Sequence, residues 1–383
     1  MAESLYIISL FFVVYTYIIY PCGVFVLSKL IKKNTITYLS TEMLPVITIV
    51  ISVYNEEKLI ENKIKNFLSI NYPSDKLKFV IVSDGSTDNT NIILDKLSKL
   101  YINLIAVTVN KRKGKPNALN IGMGHVESNI VVFSDIRQTV SDNALLSLVS
   151  ELESDEHIGL VSGELVHVAY DRNATSKNVG LYWRYEKWIR HSESRLKSTV
   201  GTTGALYMFY KADFKALRED TILDDFEIPM NISKSGKKLK ISSDAFIYDY
   251  AHEDIEKEKI RKIRTLSGNY QSFLRMRWLF SPYKNHLFVQ FLSHKVFRLL
   301  VPYFLIFILV INFMLLNSSI YYQVTLFLQL LFYSMALSAY YFVFFRKNKL
   351  ANFCLTFVVL NFSVILALYL YIRNEQSVTW SKT

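Results

Sequence analysis

Long stretches without a charged side chain divide the sequence into membrane-type and water-type segments. No charge occurs in residues 4–28 or in residues 299–345, and the polar residues 317–319 split the second stretch into two apolar runs. A helix needs about 20 apolar residues to cross the hydrocarbon core of a bilayer. Together with a further run at 350–372, the pattern predicts four membrane-spanning helices. Buried helices of a water-soluble protein rarely extend this far without a charge.

The block between the first and second runs alternates strand-like and helix-like patterns. Residues 46–53 read VITIVISV, an unbroken series of mostly β-branched apolar side chains. Such a series is typical of a strand covered on both faces. Helical stretches separate it from similar short runs at 79–83, 104–109 and 130–134. The alternation predicts an α/β fold with a mostly parallel sheet, whose ligands bind beyond the carboxyl ends of the strands.

The distribution of positive charge predicts how the chain is oriented in the membrane. Lys and Arg number 44 against 33 Asp and Glu, so the formal net charge is +11. They cluster at 29–33, at 295–298 and at 346–349, beside the ends of the apolar runs. Because cytoplasmic loops carry an excess of Lys and Arg, we expect the central block in the cytoplasm and both termini outside, in a plasma or inner membrane. These clusters beside the apolar runs account for the excess of positive charge, so nucleic acid is not an expected partner.

These patterns give four expected segments. They are an N-terminal transmembrane helix at 1–30, a cytoplasmic α/β domain at 44–280, an interfacial segment at 281–298 and three C-terminal transmembrane helices at 299–372. The sequence has only two cysteines, both within apolar runs, and therefore no disulfide is implied.

Polar clusters follow four of the predicted strands, at the edge where ligands bind. They lie at 54–57 (YNEE), 84–88 (DGSTD), 110–115 (NKRKGK) and 135–137 (DIR). Each cluster alone is explained by a turn or a helix cap. Because the four occur at successive strand ends, they predict a single ligand site.

Several of these motifs resemble the donor half of family 2 glycosyltransferases. They are YNEE at 54–57, SDGSTD at 83–88, KGK at 113–115 and ALN at 118–120. The likeness is to the membrane-embedded branch that includes cellulose, chitin, hyaluronan and poly-N-acetylglucosamine synthases. It implies a Rossmann-like GT-A fold for the cytoplasmic domain, a nucleotide-sugar donor, and a bilayer as partner.

The resemblance implies roles for individual donor-site residues. Tyr54 and Glu56 belong to the motif that contacts the nucleoside. The carboxylate of Asp84 could accept the uracil N–H, which favours a UDP-sugar. Lys113 and Lys115 flank a glycine and would place two cations beside a backbone that approaches the diphosphate closely.

Asp135 stands where the family usually has Asp-x-Asp, whose carboxylates lie at the sugar-diphosphate and at a divalent metal, Mg²⁺ or Mn²⁺. Here Arg137 replaces the second carboxylate, and Gln138 completes an Asp-x-Arg-Gln variant. Mg²⁺ needs only one or two protein carboxylates when phosphates and water supply the other ligands. We therefore assign the metal to Asp135, and expect Arg137 to pair with phosphate or to face solvent.

The acceptor half is implied by two further segments. In LDDF, Asp225 matches the last residue of the family's Thr-Glu-Asp motif, the catalytic base, and Asp224 is the second candidate. Arg264 aligns with the Arg of the Gln-x-x-Arg-Trp motif of processive relatives and would neutralise the diphosphate. Arg261 then takes the place of the Gln, and Thr265 that of the Trp that stacks on the acceptor sugar.

The sequence therefore predicts an inverting, membrane-integral glycosyltransferase that uses a UDP-sugar, a hexose or N-acetylhexosamine, to extend a glycan or polysaccharide. Thr265 leaves open a non-processive transferase that adds one sugar to a polyprenyl-phosphate or other lipid-linked acceptor. The incomplete Asp-x-Asp leaves open a catalytically silent, membrane-bound partner subunit. Four spans are few for a secretion channel, so export of a product would need an oligomer or an accessory export protein.

Overall fold

The computed structural model describes residues 1–32, 37–168, 174–250, 255–373 and 375, with the backbone alone at 174–182 and 255–259. These residues form one mixed sheet with helices on both faces. Long apolar helices lie on either side of this sheet domain in the sequence.

The strands of the sheet are short and mostly buried. In chain order they are β1 Ile47–Val53, β2 Leu77–Asp84, β3 Leu104–Val109, β4 Ile130–Ser134, β5 Thr139–Val140, β6 Ile158–His167, β7 Leu206–Tyr210 and β8 Lys238–Asp249. Across the sheet they are ordered β3-β2-β1-β4-β7-β6-β8-β5. The first four are parallel, β7 is antiparallel to both neighbours, and β6 and β8 are parallel to each other. The predicted α/β class is confirmed.

Helices connect the strands and extend the chain beyond the sheet. The α-helices are α1 Ala2–Val14, α2 Tyr20–Leu30, α3 Ile60–Ser69, α4 Thr90–Leu100, α5 Lys115–Gly124, α6 Ala144–Leu152, α7 Ala174–Leu196, α8 Asp224–Ser233, α9 Ile255–Arg275, α10 Phe288–Gln290, α11 Phe297–Met314, α12 Ile320–Tyr341, α13 Val343–Arg346 and α14 Lys349–Ile372. Short 3-10 turns lie at Thr41–Met43, Ser74–Lys76, Lys211–Asp213 and Arg277–Phe280, and π-helical turns at Tyr15–Ile19 and Phe291–Val296.

Both faces of the sheet are covered, as the uninterrupted apolar runs predict. Because side chains alternate along a strand, Ile49 and Ile51 of β1 enter one core and Val50 enters the other. The first core is completed by α3, α4 and α6, and the second by α5, α8 and α9. The carboxyl ends of β1, β2 and β4 are thereby left at one open edge.

Four helices are long and apolar enough to cross a membrane: Ala2–Leu30, Phe288–Met314, Ile320–Tyr341 and Lys349–Ile372. The first joins α1 and α2 through a π-helical turn. The second starts earlier than its apolar run. It includes residues 288–298 of the expected interfacial segment, where His294 and Arg298 are paired with Glu186.

The second core of the sheet continues into the long apolar helices. Leu223 and Phe226 at the start of α8 cluster with Phe291 and Leu299 of the helix Phe288–Met314, and with Val364 of α14. The sheet domain and these helices therefore share buried surface and pack as one body.

Gly268 of α9 allows this helix to approach the start of α8. A Cβ at this position would lie 2.9 Å from Cγ2 of Ile222 and closer still to Leu223. Overpacking of this kind costs about 1–3 kcal/mol. We expect Gly268→Ala to lower the thermal unfolding midpoint by a few degrees. It should also disturb the site below, because Leu223 directly precedes Asp224.

The matched control is Gly124→Ala, where no atom lies within 4 Å of the added carbon. Differential scanning fluorimetry of the two variants should separate them. Equal midpoints would show that the α8–α9 contact is not tight.

Candidate functional site

Asp84, at the end of β2, holds the basic loop that precedes α5. Its Oδ1 accepts the backbone N–H of Lys113 at 2.9 Å, and its Oδ2 accepts that of Gly114 at 2.6 Å. Gly114 has a φ of +99°, which favours glycine, and it directly precedes Lys115 at the start of α5. Two predicted motifs are thereby joined through a carboxylate that is only 4% exposed. Each oxygen keeps a second lone pair that can accept from a nucleoside.

The turn after β2 approaches this loop closely. A Cβ at Gly85, whose φ is +71°, would lie 2.5 Å from the backbone nitrogen of Arg112. The guanidinium of Arg112 lies 3.7 Å from the centroid of the Tyr54 ring, at the end of β1. Tyr54 is thus brought to the same edge as Asp84. Arg112 was not singled out in the sequence, because one cation in a basic loop carries no distinguishing pattern.

The ammonium of Lys115 lies at the centre of the site. Its Nζ is 2.8 Å from Oδ1 of Asp135, which follows β4, and 3.0 Å from Oδ2 of Asp224, which begins α8. Burial by itself would lower the pKa of Lys115, but the two carboxylates outweigh it and raise the pKa above its ordinary value. One cation therefore joins α5, the end of β4 and the start of α8.

Asp225 lies beside Asp224 and against the loop of small residues at 201–205. Its backbone carbonyl accepts the N–H and the hydroxyl of Thr202, at 3.3 and 2.9 Å. The missing side chain at Gly204 makes room for its carboxyl group, since a Cβ there would lie 3.0 Å from Oδ2 of Asp225. The loop of small residues at 201–205 is therefore adjacent to the expected base.

The pKa of Asp225 is matched to proton transfer. Burial and the neighbouring charge of Asp224 raise the pKa of Asp225, Lys115 and Lys295 oppose both effects, and the net result is a pKa of about 6. A carboxylate that titrates near the working pH can accept a proton and release it again. Asp135, which is distant in the sequence, is brought here to the adjacent pair Asp224 and Asp225.

Of the two arginines predicted on α9, only Arg264 is brought to the carboxylates. Its Nη2 donates to the carbonyl of Ile222 at 3.2 Å. Burial lowers the pKa of Arg264, while the charges of the three carboxylates raise it. Arg261 lies on an exposed part of the same helix.

Three predicted residues have partners that the sequence did not indicate. The ammonium of Lys113 is exposed and lies 3.1 Å from Glu219, so only its backbone N–H contacts Asp84. The backbone N–H of Glu56 donates to Thr90 at 2.9 Å. The side chain of Arg137 is exposed, and its Nη2 is 2.8 Å from the buried carboxylate of Asp249.

The structure adds two buried residues that sequence reasoning missed. Lys63 of α3 is 3% exposed, and its ammonium donates to the carbonyl of Gln138 at 2.6 Å. Burial lowers the pKa of Lys63 to about 7, although the negative charge of Asp135 opposes this shift. Tyr207 of β7 is completely buried, and its hydroxyl has no partner among the described residues. Burial, together with the charges of the carboxylate cluster, raises its pKa. In the sequence the two resemble a surface lysine and a core aromatic.

The carboxylates fit a divalent cation only in part. Within the described ranges, no three His, Cys, Asp or Glu side chains are grouped to hold a metal. Asp135 and Asp224 offer the oxygen ligands that Mg²⁺ and Mn²⁺ prefer, but the ammonium of Lys115 lies between them. A cation at Asp135 would therefore take most of its ligands from diphosphate and water.

Comparison with known proteins agrees with this geometry. Residues 48–217 match the profile of Glycosyl transferase family 2. Over 234 residues the chain is 23% identical to the probable glycosyltransferase YdaM of Bacillus subtilis (strain 168), covering 59% of this chain and 56% of that protein. It is 24% identical to poly-beta-1,6-N-acetyl-D-glucosamine synthase of Staphylococcus aureus (strain COL), covering 60% and 56%. The chain thus spans about half the length of the curated relatives it matches.

Residues 48–217 therefore form a domain of the glycosyl transferase family 2 type. In sequence the chain is similar to a probable glycosyltransferase and to a polysaccharide synthase. Its fold is similar to that of the mannosyltransferase PcManGT from Pyrobaculum calidifontis, solved in complex with GDP-Man and Mn²⁺. The TM-score is 0.75 at 19% identity, covering 98% of this chain and 100% of that one. The GT-A expectation is confirmed.

We expect Lys115→Met to destabilise the protein because it leaves the buried Asp224 and the partly exposed Asp135 without their cation. Removing one partner of a buried ion pair costs about 3–5 kcal/mol. The loss should be largest at neutral pH and shrink as the pH falls, since protonation of the two carboxyls then relieves their repulsion. Thermal unfolding midpoints between pH 5 and 8 measure this.

Lys113→Met is the matched control, because that side chain is exposed and its ion pair with Glu219 is worth little. A loss in Lys115→Met no greater than in Lys113→Met would contradict the central role of the Lys115 ammonium.

Proposed function

We propose that the protein is an inverting, membrane-integral glycosyltransferase that uses a UDP-sugar, a hexose or N-acetylhexosamine, to extend a glycan or polysaccharide. One observation carries the proposal. Asp225, with a pKa raised to about 6, lies beside the Lys115-bridged pair Asp135 and Asp224 at the edge where the parallel strands end. That edge is where α/β sheets bind nucleotides.

The donor would lie along this edge. Tyr54, Glu56 and Asp84 would receive the nucleoside, and Asp84 accepting from the uracil N–H would favour UDP. The loop held by Asp84 would bring Lys115 to the diphosphate, and Arg264 would meet the same phosphates from α9. Charge-assisted contacts of this kind are strong when they are shielded from water.

The acceptor hydroxyl would attack the anomeric carbon from the side opposite the diphosphate. The new C–O bond forms as the bond from the anomeric carbon to the diphosphate oxygen breaks, and UDP leaves with the electron pair. Asp225 takes the hydroxyl proton, and the configuration at the anomeric carbon inverts. Asp224 raises the basicity of Asp225 through its adjacent charge, which suits this role.

Asp135 is the residue that would hold a divalent metal, Mg²⁺ or Mn²⁺, together with the diphosphate oxygens. Such a cation, when bound, would add positive charge at the leaving group. Lys115 and Arg264 supply positive charge at the same place from the chain itself.

The four apolar helices would place this chemistry at a bilayer. We propose that the catalytic domain is cytoplasmic and that both termini lie outside, because Lys and Arg cluster at the ends of the helices next to that domain. The acceptor is a glycan or a lipid-linked sugar. Passage of a long product across the membrane would require an oligomer or an accessory export protein.

One observation favours a second candidate function, the addition of a single sugar to a lipid-linked acceptor. Thr265, at the position expected for a sugar-stacking Trp, lies on an exposed part of α9, and its hydroxyl donates to the carbonyl of Arg261 at 3.0 Å. No aromatic platform stands at that position. The length of the product distinguishes the two candidates, since processive extension gives a ladder.

We expect the purified full-length protein to release UDP from at least one UDP-sugar. Asp225→Asn should reduce the rate by about 10²–10⁴-fold, the range of general base catalysis, with donor affinity changed far less. The assay is nucleotide release across a panel of UDP- and GDP-sugars. Turnover of GDP-sugars alone would refute the assignment of a UDP-sugar donor. Equal rates in the wild type and Asp225→Asn would refute Asp225 as the catalytic base. No turnover with any donor would favour the catalytically silent subunit.

The pH dependence of kcat should follow the titration of Asp225. Its pKa is raised, so it is protonated and inactive below about pH 6, and activity should rise as the pH increases through that value. Asp224→Asn should shift this rising limb of the profile of kcat against pH to lower pH, because it removes a neighbouring negative charge that raises the pKa of Asp225. Asp95→Asn, at an exposed pair with Lys99, is the control and should leave the limb in place. A limb that does not respond to Asp224→Asn would exclude Asp225 as its origin.

A further inference from the structure

Lys295 brings a positive charge from a long apolar helix to the catalytic edge. It lies in the first turns of the helix Phe288–Met314. Its Nζ is 5.9 Å from the centroid of the Phe226 ring and 4.0 Å from the position of a Cβ at Gly201. Phe226 directly follows Asp225, the proposed base. A residue that the sequence shows only as part of a juxtamembrane basic cluster therefore reaches the site.

The basic residues around Lys295 on its helix are neutralised, but Lys295 is not. His294 contacts both Glu186 and Glu193, at 2.8 and 2.9 Å, and Arg298 is paired with Glu186. In the part of the chain that the structure describes, no carboxylate oxygen lies within 4.0 Å of the Lys295 ammonium. Glu186 and Asp225 act on the Lys295 ammonium from a longer distance, so the ammonium can still contact an anionic ligand.

Arg190 of α7 also lies between basic residues that are paired with a carboxylate. Its neighbours Lys187 and His191 are both paired with Glu164. Among the residues placed in the structure, Arg190 has no carboxylate partner within 4.0 Å, and its Nε is buried without a hydrogen bond. Arg190 lines a small cavity whose wall also includes Trp183 and Thr203. A buried N–H group without a partner is rare in a folded protein and points to a missing ligand or water.

The two unneutralised cations meet at the same loop. Lys295 lies at Gly201 and Arg190 at Thr203, and Thr202 between them binds the backbone of Asp225. The diphosphate of the donor already has cations of its own in Lys115 and Arg264. The additional positive charge at residues 201–203 therefore matches a second anion, and the remaining substrate is the acceptor.

We propose that Arg190 and Lys295 bind a phosphate group of the acceptor, which is a membrane lipid whose phosphate or diphosphate carries the sugar to be extended. The inference rests on the proposed transferase function and names its acceptor class. With the phosphate at these cations, a hydroxyl of the acceptor sugar can reach Asp225. The transfer is otherwise as described above, with the proton taken by Asp225 and UDP released.

The walls of this site favour a lipid source for the phosphate. Lys295 lies on a helix that is long and apolar enough to cross a membrane. Helix α7, which carries Arg190, packs against the first apolar helix. The hydroxyl of Tyr185 donates to the carbonyl of Tyr17 at 2.7 Å. The ring centroids of Trp188 and Phe25 lie 5.1 Å apart. Both cations therefore lie on or beside helices that would be at the bilayer, which favours a lipid as the source of the phosphate.

The test is binding of farnesyl phosphate to the full-length protein in nanodiscs of phosphatidylcholine, without donor. Farnesol and inorganic phosphate are the neutral and the soluble comparisons. We expect farnesyl phosphate to bind more tightly than either. Lys295→Met and Arg190→Met should each weaken it about tenfold or more, the usual effect of losing one charge-assisted contact. Lys295→Arg should restore binding to within a few-fold.

Matched controls are Lys284→Met and Arg277→Met, two exposed cations between α9 and the helix Phe288–Met314 that should have no effect. Equal affinities across all variants, or equal affinities of farnesol and farnesyl phosphate, would overturn the site. Inorganic phosphate binding as tightly as farnesyl phosphate would overturn the lipid source.

Titrations of a UDP-sugar into the same samples distinguish a failure of the acceptor inference from a failure of the proposed transferase function. If the wild-type protein binds a UDP-sugar but not farnesyl phosphate, the acceptor inference fails and the transferase proposal stands. If it binds no nucleotide-sugar at all, the proposed function fails first. Unchanged donor affinity in Lys295→Met shows that this variant is folded.

Discussion

The arrangement of the site depends on one buried electrostatic contact. Without the ammonium of Lys115, Asp135 and Asp224 would be two negative charges held a few ångströms apart in a poorly solvated place, with Asp225 beside them. In such surroundings repulsion is strong and carboxyl groups take up protons. The lysine places a positive charge between Asp135 and Asp224, while Asp225, which it does not contact directly, has a raised pKa. The same contact thus organises the site and separates the roles of its carboxylates.

A second constraint is the continuity between the sheet domain and the long apolar helices. The core beneath α8 includes residues of the helix Phe288–Met314 and of α14, so the first turn of α8, which carries Asp224 and Asp225, rests on them. Gly268 tightens the same contact from α9. A shift of these helices would therefore be transmitted to the proposed base. In the proposed function, this arrangement would bring a lipid phosphate and a nucleotide-sugar to the same site.

Arg137, which stands in place of the second carboxylate of Asp-x-Asp, has a structural partner. Arg137 is paired with the buried Asp249 at the end of β8, and Gln138 donates to the same carboxylate at 3.3 Å. The carbonyl of Gln138 also holds the ammonium of Lys63. The segment after Asp135 therefore ties β4 to β8 and α3. Positive charge that a metal would otherwise supply at this edge is present in Lys115 and Arg264.

The sequence by itself determined the α/β class, the strands β1 to β4 to within two residues, and the four apolar helices, because these depend on local hydrophobic pattern and length. It also identified Asp84, Asp135, Asp224 and Asp225, whose motifs are short and ordered. Only the tertiary structure decided the partners: Lys113 with Glu219, Arg137 with Asp249, and Lys115 between two carboxylates more than 80 positions apart. Lys63 and Tyr207 gave no signal in the sequence, and Lys295 was visible only as part of a juxtamembrane basic cluster, since a side chain acquires its surroundings only when distant segments pack around it.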